Sequence, residues 1–302
     1  MFLYILLILA LNGPACRFYR YICMPYTTLK ANRLRKNIIL MIIKDIHLVY
    51  FSATYTTRKV LRGIAHTIEG NIVEHDVTDA LPFGNITIGA DSLLIIGAPV
   101  YAGRLPRRAA EAFKMLRGSS TPAIAVCVYG NRDYDDALVE LQDISEERGF
   151  KTVAAGAFIG RHCIFPTVAG GRPDDADMLK ADDFARKSLN LLRQADDISQ
   201  LLRLTVKGNR PYKQGGASTF TPVGDVSKCV GCMTCVGKCP MEAIPADAPC
   251  TTIADRCIAC GRCVVVCPQG ARGFGGEAYK GFEAKFTAAF SQRREPETFF
   301  AG

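Results

Sequence analysis

Two runs of the sequence, CVGCMTCVGKCP (229–240) and CIACGRCVVVCP (257–268), share one spacing. Each has cysteines three residues apart at three positions, a fourth cysteine four residues later, and then proline. Three thiolates so spaced on a tight loop can grip three irons of one 4Fe-4S cubane, while the fourth points away from it. Small residues let the chain wrap a cofactor closely, and Gly231, Gly237, Ala259 and Gly261 supply them. Pro240 and Pro268 each remove a backbone N–H and start a turn. Structural zinc is the alternative, but its usual pattern is two C-x2-C pairs supplying four ligands, and a tandem of four-cysteine runs is far more specific. Nine of the thirteen cysteines fall between positions 229 and 267, behind a long stretch that alternates strand and helix patterns. That distribution argues against a small secreted disulfide scaffold and for thiolates kept reduced, hence cytoplasmic assembly. Cys250, Cys127 and Cys163 lie outside the pattern. Cys127 reads as a small hydrophobe in a buried strand and Cys250 as an ordinary loop thiol.

The region before the cysteines alternates short apolar strands with amphipathic helices. Strands are predicted over residues 46–51, 71–77, 91–101, 122–131 and 151–160. A helix over 57–68 has apolar spacing at Val60, Leu61, Ile64, Ala65 and Ile68. A second starts near Pro106 and stops before Gly118, a third begins near Asp133 as its cap, and a fourth spans 174–194. Five strands alternating with helices predict an α/β fold, a doubly wound parallel sheet covered on both faces. Ligands of such sheets bind at the carboxyl ends of strands, near the switch in strand order. Four loops end predicted strands there: 52–57, 98–106, 129–134 and 161–173.

The cysteine module resembles the bacterial dicluster ferredoxins over residues 223–275, a small α+β domain. The resemblance implies one cluster held by Cys229, Cys232, Cys235 and Cys267, and a second held by Cys257, Cys260, Cys263 and Cys239. Ahead of it, SATYTT (52–57) sets Ser52, Thr54, Thr56 and Thr57 between the first strand and first helix, followed by Arg58 and Lys59. Phosphate wants several N–H donors aimed at one point, and a helix amino terminus provides them with a favourable dipole. Neither G-x-x-x-x-G-K-[ST] nor G-x-G-x-x-G is present, so neither a triphosphate loop nor a dinucleotide fingerprint applies. The segment resembles the flavodoxin phosphate loop, S/T-x-T-G-x-T, matched by Ser52, Ala53, Thr54, Tyr55, Thr56 and Thr57. Tyr55 stands where that pattern has glycine. A left-handed backbone there costs a tyrosine about 1–2 kcal/mol, and replacing it with glycine is expected to tighten flavin binding. By the same resemblance, Pro99, Val100, Tyr101, Ala102 and Gly103 after the third strand, and Tyr129, Gly130, Asn131 and Tyr134 after the fourth, flank a flavin. His162, Cys163 and Arg172 lie on the same predicted edge without a recognisable catalytic constellation, and His47, His66 and His75 form none either.

The span 41–275 therefore resembles the flavodoxin–ferredoxin fusion proteins: a flavodoxin-like FMN domain over 41–205, a linker over 206–222, and the dicluster domain. Residues 276–302 read as a tail. Residues 1–40 read as an extension outside the fold, either an upstream start or a weak anchor. Their apolar run, 2–11, is far short of the roughly 20 residues of a spanning helix. They also hold six basic side chains and no acid, which accounts for most of the net charge of +8. With the excess confined there, nucleic-acid binding through a basic face is not expected. The resemblance implies two 4Fe-4S clusters, FMN, and electron exchange with a redox protein partner. Two other functions stay open: a flavin-dependent reductase of a small molecule fed by the clusters, and a ferredoxin with a flavin-free docking domain.

Overall fold

The computed structural model describes residues 43–81, 84–195, 197–216 and 218–302. The extension expected over 1–40 and the domain start at Met41 lie outside them. The predicted strands form, with ends shifted by one or two residues, as β1 (Asp45–Tyr50), β2 (Asn71–Asp76), β4 (Leu93–Pro99), β6 (Thr121–Tyr129) and β7 (Phe150–Ile159). Every residue of β6 is buried, which is why that strand reads as a continuous apolar run. A short parallel pair, β3 (Ile86–Thr87) with β5 (Leu116–Arg117), stands outside the main sheet.

In the main sheet the parallel strands run β2-β1-β4-β6-β7. Counted as the five strands of a doubly wound unit this is the order 2-1-3-4-5, the flavodoxin-like order, and its switch point lies between β1 and β4. Alternate side chains of β1 serve opposite cores. Ile46, Leu48 and Tyr50 pack with helices α1 (Thr56–Thr67) and α4 (Asp175–Gln194), while Val49 and Phe51 pack toward α2 (Arg107–Phe113) and α3 (Ala137–Glu147). Helix α4 starts with a reciprocal capping box between Asp174 and Asp177.

Three expectations need correction. Asp133 does not cap α3, which starts after Asp136. Asp135 takes a left-handed conformation that delays the helix, and Asp133 instead accepts the Asp135 N–H at 3.0 Å and pairs with Lys207. Among the described residues, the linker over 206–222 has no regular element but is strapped along α3. The Asp136 carboxylate accepts the backbone N–H groups of Asn209 (2.8 Å) and Lys213 (2.7 Å). The greatest departure is the expected tail. Residues after 275 form helix α7 (Glu277–Ala289) and strand β10 (Glu297–Phe300), and β10 pairs antiparallel with β7 as the sixth strand of the main sheet. Its four residues are too few for an alternation signal, but pairing covers the otherwise open β7 edge.

The cysteine module between these segments holds β8 (Val223–Gly224), α5 (Thr234–Gly237), α6 (Arg262–Val265) and β9 (Arg272–Gly273), with β8 and β9 antiparallel. Ile43–Gly302 is one compact unit, so the module is integral with the sheet domain.

Candidate functional site

At the sheet edge the chain leaves β1 through Ser52–Tyr55 and enters α1. The Ser52 N–H donates to Thr78 Oγ1 (2.8 Å), and Ser52 Oγ accepts the Arg58 N–H (3.0 Å). Lys59 N–H donates to the Tyr55 carbonyl (3.0 Å). The Tyr55 N–H donates to the Ser52 carbonyl (3.3 Å), so of the four N–H groups that open the helix those of Thr56 and Thr57 have no partner among the described residues. The Thr54 and Thr56 hydroxyls lie 3.4 Å apart, and Thr57 Oγ1 is buried with no hydrogen-bond partner among the described residues. Tyr55 does adopt a left-handed backbone, φ 65°, immediately before α1.

The loop after β4 turns tightly, with reciprocal backbone hydrogen bonds between Tyr101 and Arg104 and positive φ at Ala102 and Gly103. Pro99, Val100 and Tyr101 share a cavity with Thr54, Thr56 and Gly130, about 350 Å³ counted to its open mouth. The loop after β6 behaves differently from its prediction. Asn131 donates through Nδ2 to the carbonyls of Phe290 (2.7 Å) and Gln292 (2.8 Å), and Tyr134 is fully buried with its hydroxyl on Glu297 (2.7 Å). Both side chains are thus engaged by the returning C-terminal segment and do not face the cavity, while Tyr129 and Gly130 line it. Arg172 is likewise structural, forming a buried bidentate pair with Asp177.

His162 lines the cavity and accepts the N–H groups of Ile164 (3.2 Å) and Phe165 (3.1 Å) at Nδ1. That fixes the ring proton on Nε2. Burial, with Arg132 nearby, holds its pKa down at about 4. Burial also pushes the neighbouring Cys163 thiol up to about 12, so it is a neutral thiol and a poor nucleophile.

In the cysteine module the doubled spacing becomes doubled geometry. Gly231 and Met233 in the first run, and Ala259 and Gly261 in the second, take positive φ at equivalent positions. Glu242 and Gly270 repeat the match after the crossing cysteines. Cys229, Cys232, Cys235 and Cys267 rim one opening of about 370 Å³, and Cys239, Cys257, Cys260 and Cys263 rim another of about 320 Å³. A zinc site would instead close four thiolates onto one atom at about 2.3 Å. Backbone N–H groups of Ala243, Ala259 and Ala271 donate to the sulfurs of Cys239, Cys257 and Cys267 at 3.2–3.3 Å. Such donors stabilise charge on a thiolate. Arg272, buried, ties the module together by donating to the carbonyls of Pro222, Pro249 and Thr251. Cys250 sits beside Cys229, whose hydrogen bond raises the Cys250 pKa.

The two sites meet. Ile258 and Ala259 of the second cysteine loop form one wall of a cleft of about 860 Å³ counted to its mouth, opposite Val100, Tyr101 and Ala102. This cleft and the smaller cavity share Val100, Tyr101, His162 and Cys163. Phe165, Phe220, Phe282 and Phe286 supply an aromatic wall, the last two from α7. Cys163 Sγ approaches the Ala259 carbonyl at 3.6 Å. At Gly261, φ 72°, a Cβ would lie 3.2 Å from the Cys163 carbonyl and 3.5 Å from Thr54 Cγ2, so a side chain there would push the two parts apart. Next to it, Arg262 donates to both Asp79 oxygens (2.9 and 3.1 Å) and to the Ala53 carbonyl (3.3 Å). Its guanidinium also lies 4.8 Å from the centre of the Tyr55 ring, and Lys238 reaches Asp79 at 2.8 Å.

Residues 222–244 and 251–272 match the family model described as 4Fe-4S binding domain, one four-cysteine run in each segment. The cysteine module is a 4Fe-4S binding domain. No curated protein matches the chain. Among solved structures, the flavodoxin of Streptococcus pneumonia TIGR4 is similar at 13% identity, over 48% of this chain and 98% of that one, with a TM-score of 0.35. The Fusobacterium nucleatum flavodoxin bound to flavin mononucleotide is 17% identical, over 36% of this chain and 69% of that one, TM-score 0.29. Rubredoxin oxygen:oxidoreductase from Desulfovibrio gigas is 12% identical over 49% of this chain, TM-score 0.32, and the match spans only 36% of that protein.

The chain joins a sheet with the flavodoxin-like strand order to a 4Fe-4S domain of two matched segments. Sequence reasoning missed Asp79, Lys238 and Arg262, which bind the 4Fe-4S domain to the sheet edge. One signal was present: Arg262 occupies the repeat position that Thr234 holds in the first run, an asymmetry inside an otherwise matched motif. Among the described residues, no helix is long and apolar enough to cross a membrane.

Proposed function

We propose that the protein is an electron relay between FMN at the sheet edge, two 4Fe-4S clusters and an external one-electron redox protein. The observation that carries this reading is the shared cleft, where Ile258 and Ala259 of the 4Fe-4S domain face Tyr101 and Ala102 of the flavodoxin-like loop. When bound, FMN exchanges one or two electrons and each cluster exchanges one. The residues at the edge suit that ligand. Open N–H donors and hydroxyls of Thr54, Thr56 and Thr57 receive the phosphate at the α1 amino terminus, and the cleft bounded by Tyr101 and Ala259 takes the ring.

The ligand sets rimming the two openings are Cys229, Cys232, Cys235 and Cys267 for cluster one, and Cys239, Cys257, Cys260 and Cys263 for cluster two. Cluster two is then the flavin-side cluster, since Cys260 is buried against the junction. Cluster one is the partner side. Cys232 is exposed there, within a collar of exposed Val223, Val226, Val230 and Met233. Lys228 beside them is paired with Asp225, so the collar favours a partner with an apolar, weakly charged contact face. Reduced thiolates and cluster assembly support a cytoplasmic location.

A second reading has one observation in its favour: the aromatic wall of Phe165, Phe220, Phe282 and Phe286 could seat a flat organic acceptor against the flavin, making the protein a reductase fed by its clusters. Anaerobic purification of the full chain, with iron, sulfide and released flavin assayed per chain, tests the cofactor set. About eight irons with matching sulfide and one FMN are expected, whereas zinc without sulfide, or clusters without flavin, refutes the relay. Electron exchange only with redox proteins favours the relay, and turnover of a small molecule favours the reductase.

A further inference from the structure

Among the positions at which the two cysteine runs differ, one pairs Thr234 with Arg262. Thr234 in the first half keeps its hydroxyl 3.4 Å from Cys232 Sγ, whereas Arg262 in the second turns its side chain out of the domain. Holding a cluster does not require arginine there, since the first half manages without one. Arg262 is buried to 3% exposure, yet all its partners lie on the sheet domain: Asp79, the Ala53 carbonyl and the Tyr55 ring. Ala53 and Tyr55 belong to the loop that leads into α1. Tyr55 carries the left-handed backbone, and its carbonyl accepts the Lys59 N–H that closes the first turn.

We propose that Arg262 is a positioning residue, a latch through which the second cysteine loop sets the conformation of residues 52–57. The guanidinium clamps the loop from two directions. One N–H holds the Ala53 carbonyl, and the guanidinium carbon lies over the Tyr55 ring, while Asp79 anchors the charge from the loop after β2. Only a planar fork with several donors meets these partners together, so lysine is not equivalent. Because Arg262 lies between Cys260 and Cys263, an ordered second loop presents it, and a loosened one withdraws it. The two sites are then linked, and by reciprocity an occupied phosphate loop favours the docked second loop. Resting on the flavin site proposed above, this makes flavin uptake depend on the integrity of the flavin-side cluster loop.

Hydrogen–deuterium exchange of the peptide covering residues 52–60 tests the latch in the anaerobically purified full chain. In R262K, exchange there is expected to rise about tenfold while iron and sulfide stay at wild-type levels. D79N loosens the same guanidinium from the sheet side and also frees Lys238, without substituting any residue of either cysteine run, and a rise of a few fold is expected. It keeps the test decisive if R262K assembles poorly. Unchanged exchange in D79N and in cluster-replete R262K overturns the latch. FMN titration of the same proteins separates the two readings. Wild-type protein that takes up no flavin refutes the flavin site while the exchange data still decide the latch; equal flavin affinity in wild type and R262K refutes the latch alone.

Discussion

Replacing Tyr55 by alanine and by glycine separates two forces that meet at one residue. Its φ of 65° costs any side chain with a Cβ about 1–2 kcal/mol relative to a right-handed conformation. Against this, Arg262 lies 4.8 Å from the ring, and its side chain is only 4% exposed. With the cation buried but Tyr55 43% exposed, the cation–π contact contributes about 1 kcal/mol, the middle of its usual range. Tyr55→Ala keeps the backbone penalty and loses the contact, so the loop weakens by about 1 kcal/mol, and its opening equilibrium rises about fivefold. Tyr55→Gly loses the contact but also the penalty, offset by about 0.5–1 kcal/mol of added backbone entropy in the open state. Its loop should stay within about 1 kcal/mol of wild type. From sequence alone, Tyr55→Gly was expected to tighten flavin binding; the stacked arginine turns that into a near-neutral change. Exchange of the Arg58 and Lys59 amides, both tied to this loop, reads the opening directly. Equal exchange in the alanine and glycine variants would show that the left-handed penalty is no larger than the backbone entropy glycine adds, and alanine exchange equal to wild type would remove the ring contact from the account.

Three further outcomes are expected. Tyr134→Phe removes a 2.7 Å hydrogen bond to Glu297 and should lower thermal stability by about 2 kcal/mol, with flavin titration unchanged at saturation because the side chain does not line the cavity. Asp177→Asn breaks the buried pair with Arg172 and should destabilise by about 3–5 kcal/mol; a denaturation midpoint equal to wild type would contradict it. His162, held at a pKa of about 4 against about 6.5 when unfolded, binds fewer protons folded than unfolded between those values. Stability therefore falls as pH drops through that window, by about 1 kcal/mol from this group between pH 7 and 5.5. His162→Asn should flatten that part of the pH profile of the melting temperature.

The strand-and-helix alternation over residues 46–194 was legible because each element buries a face against a sheet covered on both sides, and periodicity records burial. Glu297–Phe300 was not, since four residues of an edge strand carry too short a pattern to stand out. The same gap misled the reading of Asn131 and Tyr134: their type and place on the ligand edge suggest a flavin contact, and only β10 and the segment before it show them otherwise engaged. Arg172, on the same predicted edge, is likewise engaged, paired with Asp177 five residues on.

What the sequence determined by itself is chemistry that depends on spacing along the chain. Thiolates at fixed intervals, glycine and alanine where the loops must curl, and hydroxyls before a helix are local requirements, and local order meets them. What the tertiary structure decided is which of these sites are neighbours. Arg262 and Tyr55 are separated by most of the chain, and no periodicity links them, yet the guanidinium lies over the ring. Distant contacts of this kind follow from how a 4Fe-4S domain packs on a sheet edge, where Gly261 permits close approach and Asp79 gathers two cations. Coupling between the cofactor sites belongs to that packing and not to either motif.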